Sequence, residues 1–99
     1  MFHHVVLMKF SPDIERDFFE RVEAYCERIR ALSDHPLGYV FRRNIASRSD
    51  GLDYGIVASF ESSSAHDLYQ LSEVHQEMKS YMSPFIDRIV VCDIDEASK

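Results

Sequence analysis

Short apolar runs and amphipathic stretches alternate along this chain. The runs are rich in β-branched and aromatic residues, and they predict strands over residues 2–10, 39–44, 54–61 and 88–94. After the first run, apolar residues recur at steps of three and four, which is the spacing of one buried stripe on a helix. That stripe consists of Ile14, Phe18, Val22, Tyr25, Ile29 and Leu32. Ser11 and Pro12 predict the start of this helix, and residues 35–38 predict its end.

A second helical region is predicted in two pieces. A capping pattern at residues 64–67 opens a helix that runs to about Leu71, and Ser72 is a suitable N-cap for the next piece, which ends at Ser83 and Pro84. The resulting order, strand, helix, strand, strand, helix pair, strand, is the split β-α-β pattern of ferredoxin-like folds. We therefore expect one α+β domain over residues 1–99, a βαββαβ antiparallel sheet with its helices on one face.

The predicted sheet has two apolar faces. Residues 5–8, 56–58 and 89–92 are apolar at consecutive positions, whereas a sheet with one wet face alternates apolar and polar residues. Helices of this chain can cover only one side, which leaves an apolar patch large enough to mark an interface. The sequence therefore predicts a homodimer formed through the sheet face. A mildly hydrophobic but free surface is the alternative.

Composition and charge exclude several classes of protein. The chain has 99 residues, 45% of them hydrophobic and 28% charged, which is typical of a globular domain and not of a disordered, collagen-like or coiled-coil chain. A net charge of −6 argues against a nucleic-acid partner or an anionic membrane. The apolar runs are too short to cross a bilayer, and no signal-type segment opens the chain. With two distant cysteines, Cys26 and Cys92, we expect a reduced, cytoplasmic protein.

Several of these segments together resemble the stress-responsive A/B barrel (Dabb) family. The segments that carry the resemblance are residues 4–10, 43–44, 51–54, 60–62, 69–75 and 89–94. Each segment is short and weakly specific, but their order and spacing match the family over nearly the whole chain. The resemblance implies a dimeric α+β barrel in which the sheets of two protomers face each other.

One characterised branch of that family is plant olivetolic acid cyclase, which closes a ring by aldol condensation. Its cavity residues, carried over by position, fall on Tyr69, His75 and His4. Members of the family often have His-Pro shortly before the last histidine, whereas residues 72–74 of this chain are Ser-Glu-Val. The absence of His-Pro affects what the resemblance implies about the substrate and the local backbone shape. Tyr69 and His75 are both present.

The residues themselves suggest acid–base chemistry at the same positions. His75 lies in the first turn of a predicted helix, where the helix dipole favours a neutral imidazole, although Glu73 and Glu77 act in the opposite sense. Tyr69 can donate a hydrogen bond to a developing enolate oxygen. The alternative for this pair is a histidine that satisfies a backbone group beside a core tyrosine. For His4, the alternative is an interface or cavity-wall residue held by a hydrogen bond.

Other candidate chemistry is weaker. His35 and His66 lie in a predicted loop and at a helix start, and no set of residues has metal-ligand spacing, so we predict neither a metal nor a cofactor. Both cysteines are expected to be small core residues. Three arginines, Arg42, Arg43 and Arg48, can meet an anionic substrate group or protect an edge strand from pairing. Three methionines, Met8, Met78 and Met82, can line a cavity for an apolar ligand or simply fill the core.

Three functional hypotheses follow from these expectations. The first is a cofactor-independent catalyst of the cyclase or lyase type, acting on a small keto or polyketide-like compound with His75 as base, Tyr69 as donor and His4 as support. The second is a non-catalytic dimer that binds a small apolar molecule or serves in a stress response. The third is a monooxygenase on the same architecture.

Overall fold

The computed structural model describes residues 1–33 and 36–99, so the predicted helix stop at His35 lies outside the described residues. The strands are β1 (Phe2–Phe10), β2 (Gly38–Arg43), β3 (Tyr54–Phe60) and β4 (Ile86–Asp95). The helices are α1 (Phe18–Arg30), α2 (Ser63–Leu71) and α3 (Glu73–Met82), and a 3₁₀ turn (Ser83–Phe85) follows α3. This order confirms the predicted βαββαβ arrangement.

The four strands form one antiparallel sheet in the order β2-β3-β1-β4. Alternation along the central strand β1 separates the two faces of the sheet. The side chains of Phe2, His4, Val6 and Met8 are buried, whereas the side chains between them are only half-buried. The buried side is the one that packs against the helices, which confirms the prediction that the helices lie on one face.

Helix α1 supplies the inner layer of the core. Its fully buried residues are Phe18, Val22, Cys26 and Ile29, which follow one another at steps of four and three. They belong to a single cluster with the buried residues of the sheet and of α3. Burying a side chain of this size contributes about 1.5–3 kcal/mol to stability, so this stripe fixes the helix on the sheet.

Helix α1 begins later than the sequence predicts. The hydroxyl of Ser11 accepts a hydrogen bond from the backbone N–H of Asp13, 3.1 Å away, and so forms a local turn and does not cap a helix. Regular helix starts only at Phe18. Phe10 and Phe85 pack on the ring of Phe18 with ring centroids 4.8 Å and 5.4 Å away, and this aromatic contact anchors the start of the helix in the core.

The two serine caps of the second helical region differ in how well they were predicted. Ser72 caps α3 as predicted, because its hydroxyl accepts a hydrogen bond from the backbone N–H of His75. Helix α2 is capped by Ser62, which accepts from the N–H of Ala65, and not by Ser64. The predicted turn at Asp50 and Gly51 is present, with φ values of 54° and 77°.

The sheet face away from the helices is apolar and uncovered. Val40, Val57, Val5 and Cys92 lie side by side across all four strands, as the strand registers show. Val57, in the middle of this row, is 51% exposed. Further half-exposed apolar side chains on the same face belong to Leu7, Val90 and Ile94. The predicted second apolar face is thus present, and we call it the open sheet face.

The cysteines lie in contrasting environments. Cys26 is buried in α1, and burial raises the pKa of its thiol to about 12, with the charge of Glu23 acting in the same direction. Cys92 is exposed on the open sheet face, so the expectation of a core position is wrong for this residue. No helix in the described part of the chain is both long and apolar enough to cross a membrane.

Candidate functional site

A cavity of about 470 Å³ lies between the sheet and the helices of this single chain. Its polar lining comes from His4, Tyr69, Gln70, His75, Lys79 and Ser83. Its apolar wall comes from Val6, Met8, Ile56, Met78, Met82, Ile86, Ile89 and Val91. All three predicted site residues therefore line one cavity, and so do Met8, Met78 and Met82.

The position and closure of the cavity differ from the expectation of a chamber between two sheets. Because His4 is at an even position of β1, its side chain points toward the helices and away from the open sheet face. The cavity opens along the last strand, where the helix-facing side chains of Ile89 and Val91 are half-exposed. The chain thus builds the polar end of the cavity by itself and leaves one side open.

Ser72 sets the spacing between Tyr69 and His75. Helix α2 ends where Ser72 takes an extended conformation, with φ −63° and ψ 147°, and α3 begins at the next residue. The hydroxyl of Ser72 donates to the carbonyl oxygen of Tyr69 at 2.7 Å and accepts from the N–H of His75 at 3.2 Å. This residue joins the two helices and brings the rings of Tyr69 and His75 to a centroid distance of 4.6 Å.

His75 has the properties of a neutral base. Nδ1 of His75 lies 3.1 Å from the carbonyl oxygen of Gln70. Since a carbonyl oxygen can only accept, Nδ1 carries the proton and donates it, and the neutral ring keeps its lone pair on Nε2. Burial lowers the pKa of His75 below its ordinary value of 6.5; the bond to Gln70 raises it, and the charges of Lys79, His4 and His66 lower it further. The ring is therefore uncharged near neutral pH.

Tyr69 is paired with a second buried tyrosine. Its hydroxyl lies 2.8 Å from the hydroxyl of Tyr39 on β2, and both rings are buried. Burial raises the pKa of Tyr69, whereas the hydrogen bond from Tyr39 acts in the opposite sense. The pKa of Tyr39 is raised as well, first by burial and then by the proximity of Tyr69. When Tyr39 donates to Tyr69, the proton of Tyr69 is free for a molecule in the cavity.

His4 takes part in a separate cluster at the edge of the cavity. Its Nδ1 lies 2.5 Å from Oδ1 of Asp93, its direct partner in the register of β1 and β4. The ring of His66, from α2, packs on that of His4 with centroids 4.6 Å apart. Burial and the charge of His4 lower the pKa of His66. His4 is thus a cavity-wall residue held by a hydrogen bond, and its ring lies 5.9 Å from that of Tyr69.

Sequence reasoning missed Tyr39, Asp93 and the role of His66. An aspartate in an apolar strand was the available signal for Asp93, but only the strand register pairs it with His4. The three candidate arginines are not among the residues that line the cavity. Arg42 donates to Glu23 and to the carbonyl of Phe41 on the edge strand β2, which agrees with the edge-protection alternative.

Comparison with known proteins supports the fold and the family. The family model described as the stress responsive A/B barrel domain matches residues 2–96. An Arabidopsis thaliana structure has a TM-score of 0.81 at 18% identity, covering 100% of this chain and 98% of its own. Hydroxynitrile lyase from Passiflora edulis has a TM-score of 0.81 at 15% identity, and the match covers 99% of this chain and 96% of the lyase chain. A dimeric ferredoxin-like protein of unknown function from Thermobifida fusca has a TM-score of 0.79 at 17% identity, and the match covers 94% of this chain and 88% of that protein's chain. No curated protein matches the chain.

Proposed function

Because the chain belongs to the family of stress responsive A/B barrel domains, we propose that it is a homodimeric, cofactor-independent acid–base catalyst. Its substrate is a small keto or polyketide-like compound bound in the cavity. The observation that carries the proposal is the pairing of a neutral His75 with the protonated hydroxyl of Tyr69, their rings 4.6 Å apart on the wall of that cavity. The similarity in fold to a hydroxynitrile lyase is compatible with chemistry of the lyase type.

The proposed reaction uses His75 as the base. Nε2 of His75 takes the proton from the carbon beside a carbonyl group, and the electron pair of the broken C–H bond moves toward the carbonyl oxygen. Tyr69 donates its hydrogen bond to that oxygen as negative charge develops. The enolate then attacks a second carbonyl of the same molecule, and the proton returns from His75 to the new alkoxide. In the lyase direction the same steps run in reverse and break the C–C bond.

The cavity wall indicates the substrate class. Apart from its polar end, the wall is formed by aliphatic and methionine side chains, which suit a flexible apolar chain. Lys79 lies at the lining and its side chain is exposed, so it can meet a negatively charged group of the substrate at the mouth. A ligand with a keto group at one end and an apolar body fits both features.

The homodimer is part of the same proposal. The open sheet face exposes a row of valines that a second copy would cover, and a patch of this kind on a small domain marks an interface. The Thermobifida fusca protein of similar fold is described as dimeric. A cytoplasmic location also remains part of the proposal, because both cysteines are free.

The test is proton exchange in heavy water with a panel of small β-diketones and keto acids, followed by NMR without added cofactor. We expect exchange at the activated carbon and its loss in His75→Ala, and a reduction of about 10²–10³-fold in Tyr69→Phe, which removes one oxyanion donor. His3→Ala is the matched control, since His3 lies one residue from His4 on the other face of the sheet. Equal exchange in wild type and His75→Ala would contradict the proposal, as would a panel on which the wild type does nothing.

A non-catalytic binding dimer is the alternative that the mostly apolar cavity favours. In that case ligands extracted from the protein are recovered chemically unchanged, and His75→Ala leaves their affinity largely intact. A monooxygenase would instead consume oxygen in the presence of a quinol-like substrate, which an oxygen electrode detects in the same panel.

A further inference from the structure

We infer that His4, His66 and Asp93 form a binding site for a divalent transition-metal cation, with Zn²⁺ as the best-matched ion. One ligand atom from each of the three residues lies within 4.8 Å of the other two. Neither His75 nor Tyr69 is among its ligands, although the site shares His4 with the lining of the cavity. It can be tested without any substrate.

The three ligands come from three different elements. His4 lies on β1, Asp93 is its direct partner on β4, and His66 lies on α2 above the sheet. A tetrahedral zinc ion with ligand distances of about 2.0–2.2 Å holds its ligand atoms about 3.3 Å apart. The Nδ1–Oδ1 contact between His4 and Asp93 is shorter than that separation, so it has to open and give up its proton when a metal binds. Since all the ligand atoms lie within 4.8 Å of one another, the inward movement needed at His66 is at most about 1.5 Å.

Burial makes this set different from an ordinary surface cluster. His4 is 4% exposed and His66 is 7% exposed, so both imidazoles are held in place by packing, whereas Asp93 keeps a solvent-facing side. The ring of His66 is stacked on Phe2 with centroids 4.5 Å apart. The side-chain amide nitrogen of Gln70 donates to Nε2 of His66 at 3.1 Å and fixes the orientation of the ring. Metal binding through Nδ1 of His66 requires this amide to turn over, so that its oxygen accepts from the N–H at Nε2, as partners of metal-binding imidazoles commonly do.

The donor chemistry points to a particular class of ion. Two imidazole nitrogens and one carboxylate oxygen suit Zn²⁺ and Fe²⁺, whereas Mg²⁺ and Ca²⁺ prefer oxygen ligands alone. With neutral imidazoles the set carries one negative charge from Asp93, so a bound dication keeps a net charge of +1. Three protein ligands leave a fourth position open, as in catalytic zinc sites. Because His4 also lines the cavity, the site adjoins the space in which we propose that the substrate binds.

The experiment measures zinc binding directly. Tag-free protein is stripped with a chelator, dialysed, and titrated with Zn²⁺ in competition with a chromophoric indicator. We expect one Zn²⁺ per chain, and an affinity at least tenfold weaker in His66→Asn and in Asp93→Asn. Co²⁺ bound in place of Zn²⁺ is expected to give the intense visible absorption of a four-coordinate site.

The matched control is His3→Gln. His3 lies beside His4 in sequence but on the opposite face, where it pairs with Glu96 at 2.7 Å, so this variant should bind zinc as the wild type does. Circular dichroism verifies the fold of each variant, and the isosteric, half-exposed Asp93→Asn keeps the test decisive if His66→Asn fails to fold. A stoichiometry well below one overturns the inference. So does zinc binding that survives Asp93→Asn or that is lost in His3→Gln.

Discussion

Replacing Val57 by aspartate is the sharpest test of the open sheet face. Val57 lies at the centre of the row that crosses all four strands, between Val40 and Val5. Its side chain is 51% exposed and points away from the helices, so the charge does not enter the core of the chain itself. We expect Val57→Asp to separate the dimer into folded monomers.

The size of the effect follows from the exposed area. Full burial of a valine or isoleucine contributes about 1.5–3 kcal/mol, so each half-exposed side chain on this face contributes roughly 1 kcal/mol when a second copy covers it. Four such residues per copy, namely Val40, Val57, Val90 and Ile94, together give roughly 8 kcal/mol per dimer. The cost of association is about 4–15 kcal/mol, so the dimer has little margin. Two unpaired carboxylates at the interface would cost at least about 4 kcal/mol, which raises the dissociation constant about 10³-fold.

Sedimentation velocity or light scattering at micromolar protein gives the mass. The wild type is expected at twice the chain mass and Val57→Asp at the chain mass, with an unchanged far-UV circular dichroism spectrum. Ile45→Asp is the control, because Ile45 is 93% exposed in the loop after β2 and receives the same charge. The reasoning is refuted if the wild type is a monomer at these concentrations, or if Val57→Asp and Ile45→Asp dissociate alike.

Two further predictions concern stability. Ser72→Ala removes the cap of α3 and its bond to Tyr69, and should lower stability by about 1 kcal/mol, or Tm by about 4–8 °C in calorimetry. Ser62→Ala, the cap of α2, should cost a similar amount but leave the NMR shifts of the His75 ring unchanged; equal shift changes in both variants would contradict the role of Ser72. Because burial lowers the pKa of His75 below 6.5, the unfolded chain binds a proton more readily than the native chain. Unfolding free energy is therefore retained above pH 6.5 and falls as the pH drops below it, by at most about 1.4 kcal/mol per pH unit for this group. Urea titrations should show a shallower fall in His75→Gln than in wild type, and identical slopes would refute the assignment.

The architecture could be predicted from the sequence because it depends on periodicities that one chain displays. The alternation in β1 and the stripe of α1 each bury one side, and the order of elements then leaves few arrangements. The start of α1 could not be predicted, because Ser11 and Pro12 suit a helix start but also suit a turn. Packing of Phe18 against Phe10 and Phe85, which are remote in sequence from one another, decides between the two.

Only part of the candidate site is visible in the sequence. Tyr69 and His75 are close along the chain, so helix spacing and the cap at Ser72 already indicate that they meet. The partners of the other two contacts are distant: Tyr39 is 30 positions from Tyr69, and Asp93 is 89 positions from His4. Such pairs depend on strand register and on how α2 lies over the sheet, and no local pattern specifies either of them.

The different environments of the two thiols provide a way to follow dissociation of the proposed dimer. Cys26 is fully buried and burial raises its pKa to about 12, so we expect it not to react with ordinary alkylating reagents. Cys92 lies in the same row as Val5 on the open sheet face, where a second subunit would shield it. Cys92 could then be alkylated only while the two copies are apart. The rate of its alkylation in the native protein would therefore report the rate of subunit dissociation without an engineered label.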